Sequence, residues 1–324
     1  KNDNKEYIGN ALHSKMASVF AQLIVDGKNE GVHAILVPLR NENHETLEGI
    51  TIEDNGYKLG LNGVDNGKIW FNNVKVPRQN LLNKYGEIKD DGSYFSSIKN
   101  PNKRFFTMLG TLVGGRICVA RGALGGSKMA LSIAVKYALN RRQFNDNVKI
   151  QEDLIMDYPT HQLRLTPKIA AAYVYHFTLE DMMKRYSDDT QPDKRKIETQ
   201  VAGLKSIITW YANDAIQECR EACGGKGYLL ENHIADLKGD VDIFEHLMFV
   251  DGSLAIKFGV QFGLFGGSIQ KLGTKKHHDQ YLTDAGKTKL LGCFAMTETG
   301  HGSNVRGIKT TATYDKASDS IIIH

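Results

Sequence analysis

Strand-like sequence occupies both ends of this chain and helical sequence fills the middle, so the first question for its fold is where the end strands find partners. A strand leaves a row of backbone donors and acceptors along each edge, and these must be satisfied. Near the start, 19–25 and 32–39 are short β-rich runs separated by Asp26-Gly27-Lys28-Asn29-Glu30-Gly31, a turn composition. Asp65-Asn66-Gly67 reads as a hairpin turn entering a half-buried strand that carries Ile69, Phe71 and Val74 and closes at Pro77. Near the end, 310–313 and 320–323 read as strands around Asp315-Lys316-Ala317-Ser318-Asp319. The two strand-rich pieces build one β domain if the termini lie close together.

Between them the period changes. Ile197, Val201, Leu204, Ile208, Tyr211 and Ala215 step by three or four residues and share one helix face. Gly224-Gly225 then ends that helix. A second helix is expected from Phe105 to Asn140. It carries Gly110, Gly114, Gly122 and Gly126, each costing up to about 1 kcal/mol against Ala. Close helix–helix packing explains these glycines, and close approach of a bulky ligand is the alternative. Residues 254–273 are apolar and Gly-rich, helical with breaks.

The 324 residues suggest about two domains. With 41% hydrophobic residues, 24% charged residues and a net charge of +4, general disorder is excluded. The most apolar stretch, 108–139, is interrupted by Arg116, Arg121, Lys128 and Lys136, so no membrane partner is expected. The closest basic run, Lys194-Arg195-Lys196, reads as the solvated start of a helix, and no nucleic-acid partner is expected. Cys118, Cys219, Cys223 and Cys293 form no Cys-x-x-Cys pair, which speaks against both a zinc site and a disulfide framework and for a reducing compartment. His277-His278-Asp279 has metal-ligand residue types, but neighbours on a helix point apart, so no metal is expected.

Three segments carry candidate chemistry. Gly292-Cys293-Phe294-Ala295-Met296-Thr297-Glu298-Thr299-Gly300-His301-Gly302-Ser303-Asn304 is an apolar strand running into a loop of hydroxyls and exposed backbone, suited to a polar ligand or simply to a surface turn. Glu298 has the chemistry of a general base, yet a lone loop Glu is usually solvated. Cys223-Gly224-Gly225-Lys226-Gly227-Tyr228 follows a helix and reads as a cap or as a phosphate-approaching turn. Arg141-Arg142-Gln143-Phe144 pairs cations with an aromatic at a helix end, which suits a phosphate or the helix dipole.

Taken together, these segments resemble the acyl-CoA oxidases, the oxygen-using branch of the acyl-CoA dehydrogenase flavoenzymes. The resemblance also covers Tyr7-Ile8-Gly9-Asn10, Lys58-Leu59-Gly60-Leu61-Asn62-Gly63-Val64-Asp65-Asn66-Gly67 and Lys99-Asn100-Pro101-Asn102-Lys103-Arg104-Phe105. The loop Thr299-Gly300-His301-Gly302-Ser303-Asn304 is of the oxidase style, whereas dehydrogenases usually place a Pro and an Ala-Gly-Ser-Asp there. The resemblance implies an α+β fold with a central antiparallel β-barrel flanked by helical domains. Residues 1–94, completed by 287–324, would form the β domain, 95–244 a helical bundle, and 245–286 a remnant of an N-terminal helical domain. In the family, the segment resembling 245–324 precedes the one resembling 1–244. The order here is therefore expected to be circularly permuted or to join pieces of a longer chain.

The resemblance further implies FAD as cofactor, a fatty acyl-CoA as substrate, O2 as electron acceptor and a homodimer. A peroxisomal location follows if the source is eukaryotic and a cytoplasmic one if it is bacterial. By motif match, Thr297, Gly9 and Tyr7 would contact the flavin, and Arg142, Phe144, Gly224 and Gly225 its dinucleotide part. Ser303, Asn304 and Arg116 would lie near the acyl-CoA, although Arg116 also reads as an ordinary surface ion-pair residue. The family's catalytic Glu is expected just beyond Phe244, where this sequence continues Glu245-His246-Leu247, so no catalytic residue is assigned. A dehydrogenase that passes electrons to a flavoprotein, or a flavin-binding fragment without its base, are the alternatives.

Overall fold

Alternating apolar residues make the strands, and their partners come from both ends of the chain. A computed structural model describes residues 4–58, 60–145, 151–188, 190, 194–229, 234, 252–302 and 304–324. The strands of the first hundred residues are β1 (Lys5–Gly9), β2 (Met16–Val25), β3 (Lys28–Pro38), β4 (Ile50–Asp54), β5 (Asn66–Phe71), β6 (Val74–Pro77), β7 (Glu87–Ile88) and β8 (Tyr94–Phe95). The other end supplies β9 (Gly292–Ala295), β10 (Thr311–Asp315) and β11 (Ser320–Ile323). One sheet has the order β3-β2-β10-β11-β6, with β9 also on β2; a second has the order β1-β5-β4; β7 and β8 form a small pair. Among the described residues these sheets are open.

The long strand β2 organises the first sheet. It pairs antiparallel with β3 along one edge. Its other edge is shared: β9 runs parallel to its first half, Met16 opposite Gly292 to Val19 opposite Ala295. β10 runs parallel to its second half, Gln22 opposite Thr311 to Ile24 opposite Thr313. The chain thus leaves the β2 edge after Ala295 and returns to it at Thr311. Both faces of β2 are covered. Ala17, Val19, Ala21, Leu23 and Val25 enter a core shared with Ile8, Ile50, Ile69 and Phe71 of the second sheet. Met16 and Phe20 face a second core with Phe105, Met108, Phe265 and Ile269. This period of two is what a strand buried on both faces requires.

Two local expectations are corrected. Asp65-Asn66-Gly67 is not a hairpin turn: Asn66 and Gly67 already lie in β5, which pairs with β4 across a long connection, Asp54 opposite Gly67. A Cβ on Gly67 would stand 2.9 Å from Ala11 Cβ and 3.0 Å from Glu53 O, so glycine is needed for close packing between neighbours rather than for a turn. The strand after it is also broken. At Asn73 the backbone turns left-handed (φ 54°), and the chain passes from β5 in one sheet to β6 in the other, where Ile323 lies opposite Val74.

The helices of the middle are α1 (Pro101–Leu109), α2 (Val113–Ala138), α3 (Pro159–Ser187) and α4 (Lys194–Ala222). The helix expected over 105–140 is therefore two helices, with a 3-10 turn at Gly110–Leu112 between them. Asn100 caps α1 by accepting from Asn102 N and Lys103 N at 2.9 and 3.1 Å, with Pro101 in the first turn, where its missing N–H costs nothing. Ile197, Val201, Ile208 and Ala215 are buried along one face of α4. The helical core joins Ile197, Val201 and Ile208 to Ile117, Ala120, Leu124 and Leu131 of α2 and Leu165, Ala172 and Leu179 of α3. Two of the α2 glycines pack against neighbouring helices: a Cβ on Gly126 would lie 3.7 Å from Ile216, and one on Gly114 3.1 Å from the Tyr186 hydroxyl. The Gly-rich stretch near 254–273 is helical with a π-helical insert, Gly259–Gly266, between Gly252–Phe258 and Gly267–Leu272. By its contacts the chain divides into two units, a β-rich one (1–58, 62–112 and 256–324) and a helical one (59–61 and 113–255).

Candidate functional site

In the β-rich unit the candidate residues meet because the excursion 296–310 folds back onto β1. Glu6 N donates to Thr297 O at 3.0 Å, and Thr299 N donates to Asn4 O at 3.3 Å. Lys5 and Glu298 form an antiparallel bridge. Thr297 thus lies beside the strand that carries Tyr7 and Gly9. The hydroxyl of Thr299 is committed to Glu6 Oε2 (2.5 Å) and Asn4 Oδ1 (2.8 Å). That of Thr297 is half-buried and has no hydrogen-bond partner among the described residues. Tyr7 is 64% exposed and left-handed (φ 61°), and Asn66 Nδ2 holds its carbonyl at 3.2 Å. Gly9 passes so close to Val260 that an added Cβ would stand 3.1 Å from it. Asn304 is exposed in the turn that closes the excursion, and Ser303 lies outside the described residues.

Glu298, expected to be solvated, is buried. Lys5 Nζ donates to its Oε1 at 2.8 Å, with both side chains almost fully enclosed. Thr310 N and Oγ1 donate to the same oxygen at 3.1 and 2.7 Å, and Lys309 N donates to Oε2 at 2.8 Å. Burial opposes the charge on Glu298, but Lys5 and these donors outweigh it and hold the carboxyl down at about 2. Burial dominates at Lys5 and brings it down to about 8 despite the carboxylate. Lys5 Nζ also donates to Phe20 O (2.7 Å) and Met296 O (3.2 Å), which uses all three of its protons. A carboxylate so occupied is not placed to act as a general base. Loop composition hid this residue, because its partner lies at the opposite end of the chain.

The helical unit gathers a second set. Phe144 and Gly224 line one cavity of about 520 Å³, together with Arg141, Tyr158, His161 and Arg164. Arg142 is not in its lining; its guanidinium donates to Glu152 O at 2.8 Å, and Arg141 from the same motif takes the lining position. Phe144 is left-handed (φ 61°) and 69% exposed. Gly224 is left-handed too (φ 53°), in the 3-10 turn that follows α4, and a Cβ on Gly224 or Gly225 would meet nothing within 4 Å. These two glycines are thus a helix cap with open space before it. His161 Nε2 is enclosed without a partner, and burial followed by Arg164 lowers its pKa. Arg164 is held by Glu218 and, at 2.9 Å, by Glu221. Arg141, just past α2, meets His161 and Arg164 of α3 because the segments flanking the loop between these helices pair, Ile155 N donating to Arg141 O at 3.0 Å, which no local motif records. Arg116 is exposed on α2 and makes no ion pair among the described residues.

His277 and His278 point apart: His277 Nε2 lies 2.9 Å from Gln79 O, and His278 Nε2 lies 3.0 Å from Gln270 O. No cluster of metal-ligating residues is found among the described residues. All four cysteines are free thiols. Burial pushes the Cys219 and Cys293 thiols up to about 12, where they are poor nucleophiles. No described helix is long and apolar enough to cross a membrane.

Comparison with known proteins settles the lineage. The acyl-CoA oxidase C-alpha1 domain family matches residues 109–247. The peroxisomal acyl-coenzyme A oxidase 3 of Arabidopsis thaliana is 41% identical over 240 residues, 74% of this chain and 36% of that protein. The chain belongs to the acyl-CoA oxidase family. An acyl-coenzyme A oxidase-like protein of Mus musculus is 41% identical over 254 residues, 75% of this chain and 39% of its own length. Among solved structures, Arabidopsis thaliana acyl-CoA oxidase 1 superposes with a TM-score of 0.65 at 30% identity, covering 83% of this chain and 41% of that one. Caenorhabditis elegans acyl-CoA oxidase-1, complexed with FAD and ATP, gives 0.65 at 30% identity, covering 82% and 40%. This oxidase-family chain therefore has the mixed helix-and-sheet fold of that family, and it spans less than half the length of the relatives it matches.

Proposed function

We propose that this chain carries the flavin-side part of an FAD-dependent acyl-CoA oxidase, which converts a fatty acyl-CoA to the trans-2-enoyl-CoA. The observation that carries this reading is the excursion from the β2 edge that lays Thr297 beside β1. It joins the two segments of flavin-binding resemblance, 293–304 and 7–10, from opposite ends of the chain. The residues fit such a ligand: a half-buried hydroxyl without a partner at Thr297, an exposed aromatic at Tyr7, and a strand edge whose neighbouring polar groups are already paired. When bound, FAD supplies the hydride acceptor and passes the electrons to O2, yielding hydrogen peroxide.

The chain's own residues bind and orient. Thr297, Tyr7 and Gly9 hold the flavin edge, and Ser303 and Asn304 face the acyl-CoA, with Arg116 as a further substrate contact. Phe144, Gly224 and Gly225, with Arg142 behind them, form the dinucleotide-binding set of a homodimer. The peroxisome is the matching compartment, since the curated oxidases above include one named peroxisomal. The core that the two sheets share supports the family's central barrel. No residue is assigned as the proton-abstracting carboxylate: the position just past Phe244, where the resemblance places it, lies outside the described residues.

The test is FAD titration of the purified chain, followed by anaerobic addition of a saturated acyl-CoA and then readmission of O2. Flavin uptake, bleaching and peroxide release are expected of an oxidase. Bleaching without peroxide favours the dehydrogenase alternative, uptake without bleaching leaves a flavin-binding piece that lacks its base, and failure to take up FAD overturns the reading.

A further inference from the structure

Thr297 is fixed by its neighbours rather than by its own side chain. Met296 O accepts from Lys5 Nζ at 3.2 Å, Thr297 O accepts from Glu6 N at 3.0 Å, and Glu298 is locked by Lys5, Lys309 and Thr310. The three successive residues are thus tied to β1 and to the start of β10. Lys5 also holds Phe20 O, which ties the same network to β2. His301 completes the enclosure, with Nε2 3.2 Å from Glu298 Oε2 but outside hydrogen-bonding geometry.

A buried ion pair is weak evidence for stability, because desolvating two charges consumes most of their attraction. What this pair does supply is direction. Its hydrogen bonds accept little angular freedom, and a carboxylate filled by four donors cannot slide. The hydroxyl left free at the centre of this frame is that of Thr297.

We propose that Lys5 and Glu298 are positioning residues whose buried pair sets the direction in which Thr297 presents its hydroxyl to the flavin. This rests on the flavin reading above. Neither residue touches the ligand; both act through the backbone of 296–298.

The experiment is a double-mutant cycle on FAD binding. The paired replacement Lys5→Met with Glu298→Leu removes both charges without orphaning either, so the fold is expected to survive. Thr297→Ala removes the hydroxyl. Thr297→Ala should weaken FAD binding about tenfold in the parent, the worth of one hydrogen bond, and leave it unchanged in the pair variant. The pair variant should itself bind about tenfold more weakly, with a changed absorption band of the bound flavin and an unchanged circular dichroism spectrum. If the pair variant does not fold, Glu298→Gln, which keeps the volume, gives the same comparison with Thr297→Ala. Equal costs of Thr297→Ala in both backgrounds, or a pair variant with the parent's affinity and flavin spectrum, overturn this inference alone. A parent chain that takes up no FAD overturns the flavin reading and this inference with it.

Discussion

The two units of this chain differ in their most enclosed ion pair. In the β-rich unit Lys5 and Glu298, 293 residues apart in sequence, are sealed together and each makes several hydrogen bonds. In the helical unit the pairs lie on the surface between helices: Arg164 with Glu218 and Glu221, Lys168 with Asp214, Arg121 with Glu180 at 2.6 Å. Surface pairs are screened and exchangeable, so the helical unit rests on its apolar stripe and small residues. A sealed pair has no water to fall back on, so the β-rich unit depends on a few polar contacts being right.

The strongest way to break this contrast is to remove one member of the sealed pair. Lys5→Ala leaves Glu298 buried without its cation and is expected to cost about 3–5 kcal/mol in denaturant unfolding. A loss under 1 kcal/mol would mean the carboxylate finds water. Acid comes next. His33 is buried, its Nε2 2.8 Å from the Tyr94 hydroxyl, and burial lowers its pKa to about 4, so the folded state stays neutral where an unfolded His takes a proton. Stability should therefore fall as pH drops below about 6.5 and toward 4. Glu298, held at about 2, adds a second loss below the ordinary carboxylate range, since its contribution is present above that range and disappears as pH falls toward 2. Unfolding midpoints that stay flat from pH 7 to about 4 would count against the sealed character of His33, and midpoints flat from about 4 down to about 2 against that of Glu298.

Smaller effects sharpen the helical side. Gly126→Ala places its methyl at ordinary contact distance from Ile216 and should stabilise by up to about 1 kcal/mol through helix propensity. A loss instead would show that α2 and α4 pack too tightly for a methyl. Arg164→Ala should change stability by less than about 1 kcal/mol, and thermal scans in low and high salt should show that little of the difference survives screening.

Periodicity makes the two long strands and the helices legible. Residues 19–25 fall within β2 and all but the last of 32–39 within β3, and the stripe from Ile197 to Ala215 lies on the buried face of α4. Local composition misleads where burial is imposed from a distance. Asp65-Asn66-Gly67 has turn chemistry, yet Gly67 is required because Ala11 and Glu53 crowd it. Thr, Gly and Ser around Glu298 read as solvated loop, yet Lys5 and Thr310 enclose it. At the second set, the Arg-Arg-Gln-Phe motif is visible in sequence, but which arginine faces the cavity is set by the partner of Arg142 at Glu152.

By itself, then, the sequence determined the element types and the family segments, because hydrophobic period and motif spacing act over a few residues. Only the tertiary structure decided that β9 and β10 share one edge of β2, that the loop between them folds onto β1, and that Glu298 is sealed while the Thr297 hydroxyl has no partner among the described residues. Those outcomes depend on strand register and on the desolvation of one lysine, and both are settled by contacts across nearly the whole length of the chain.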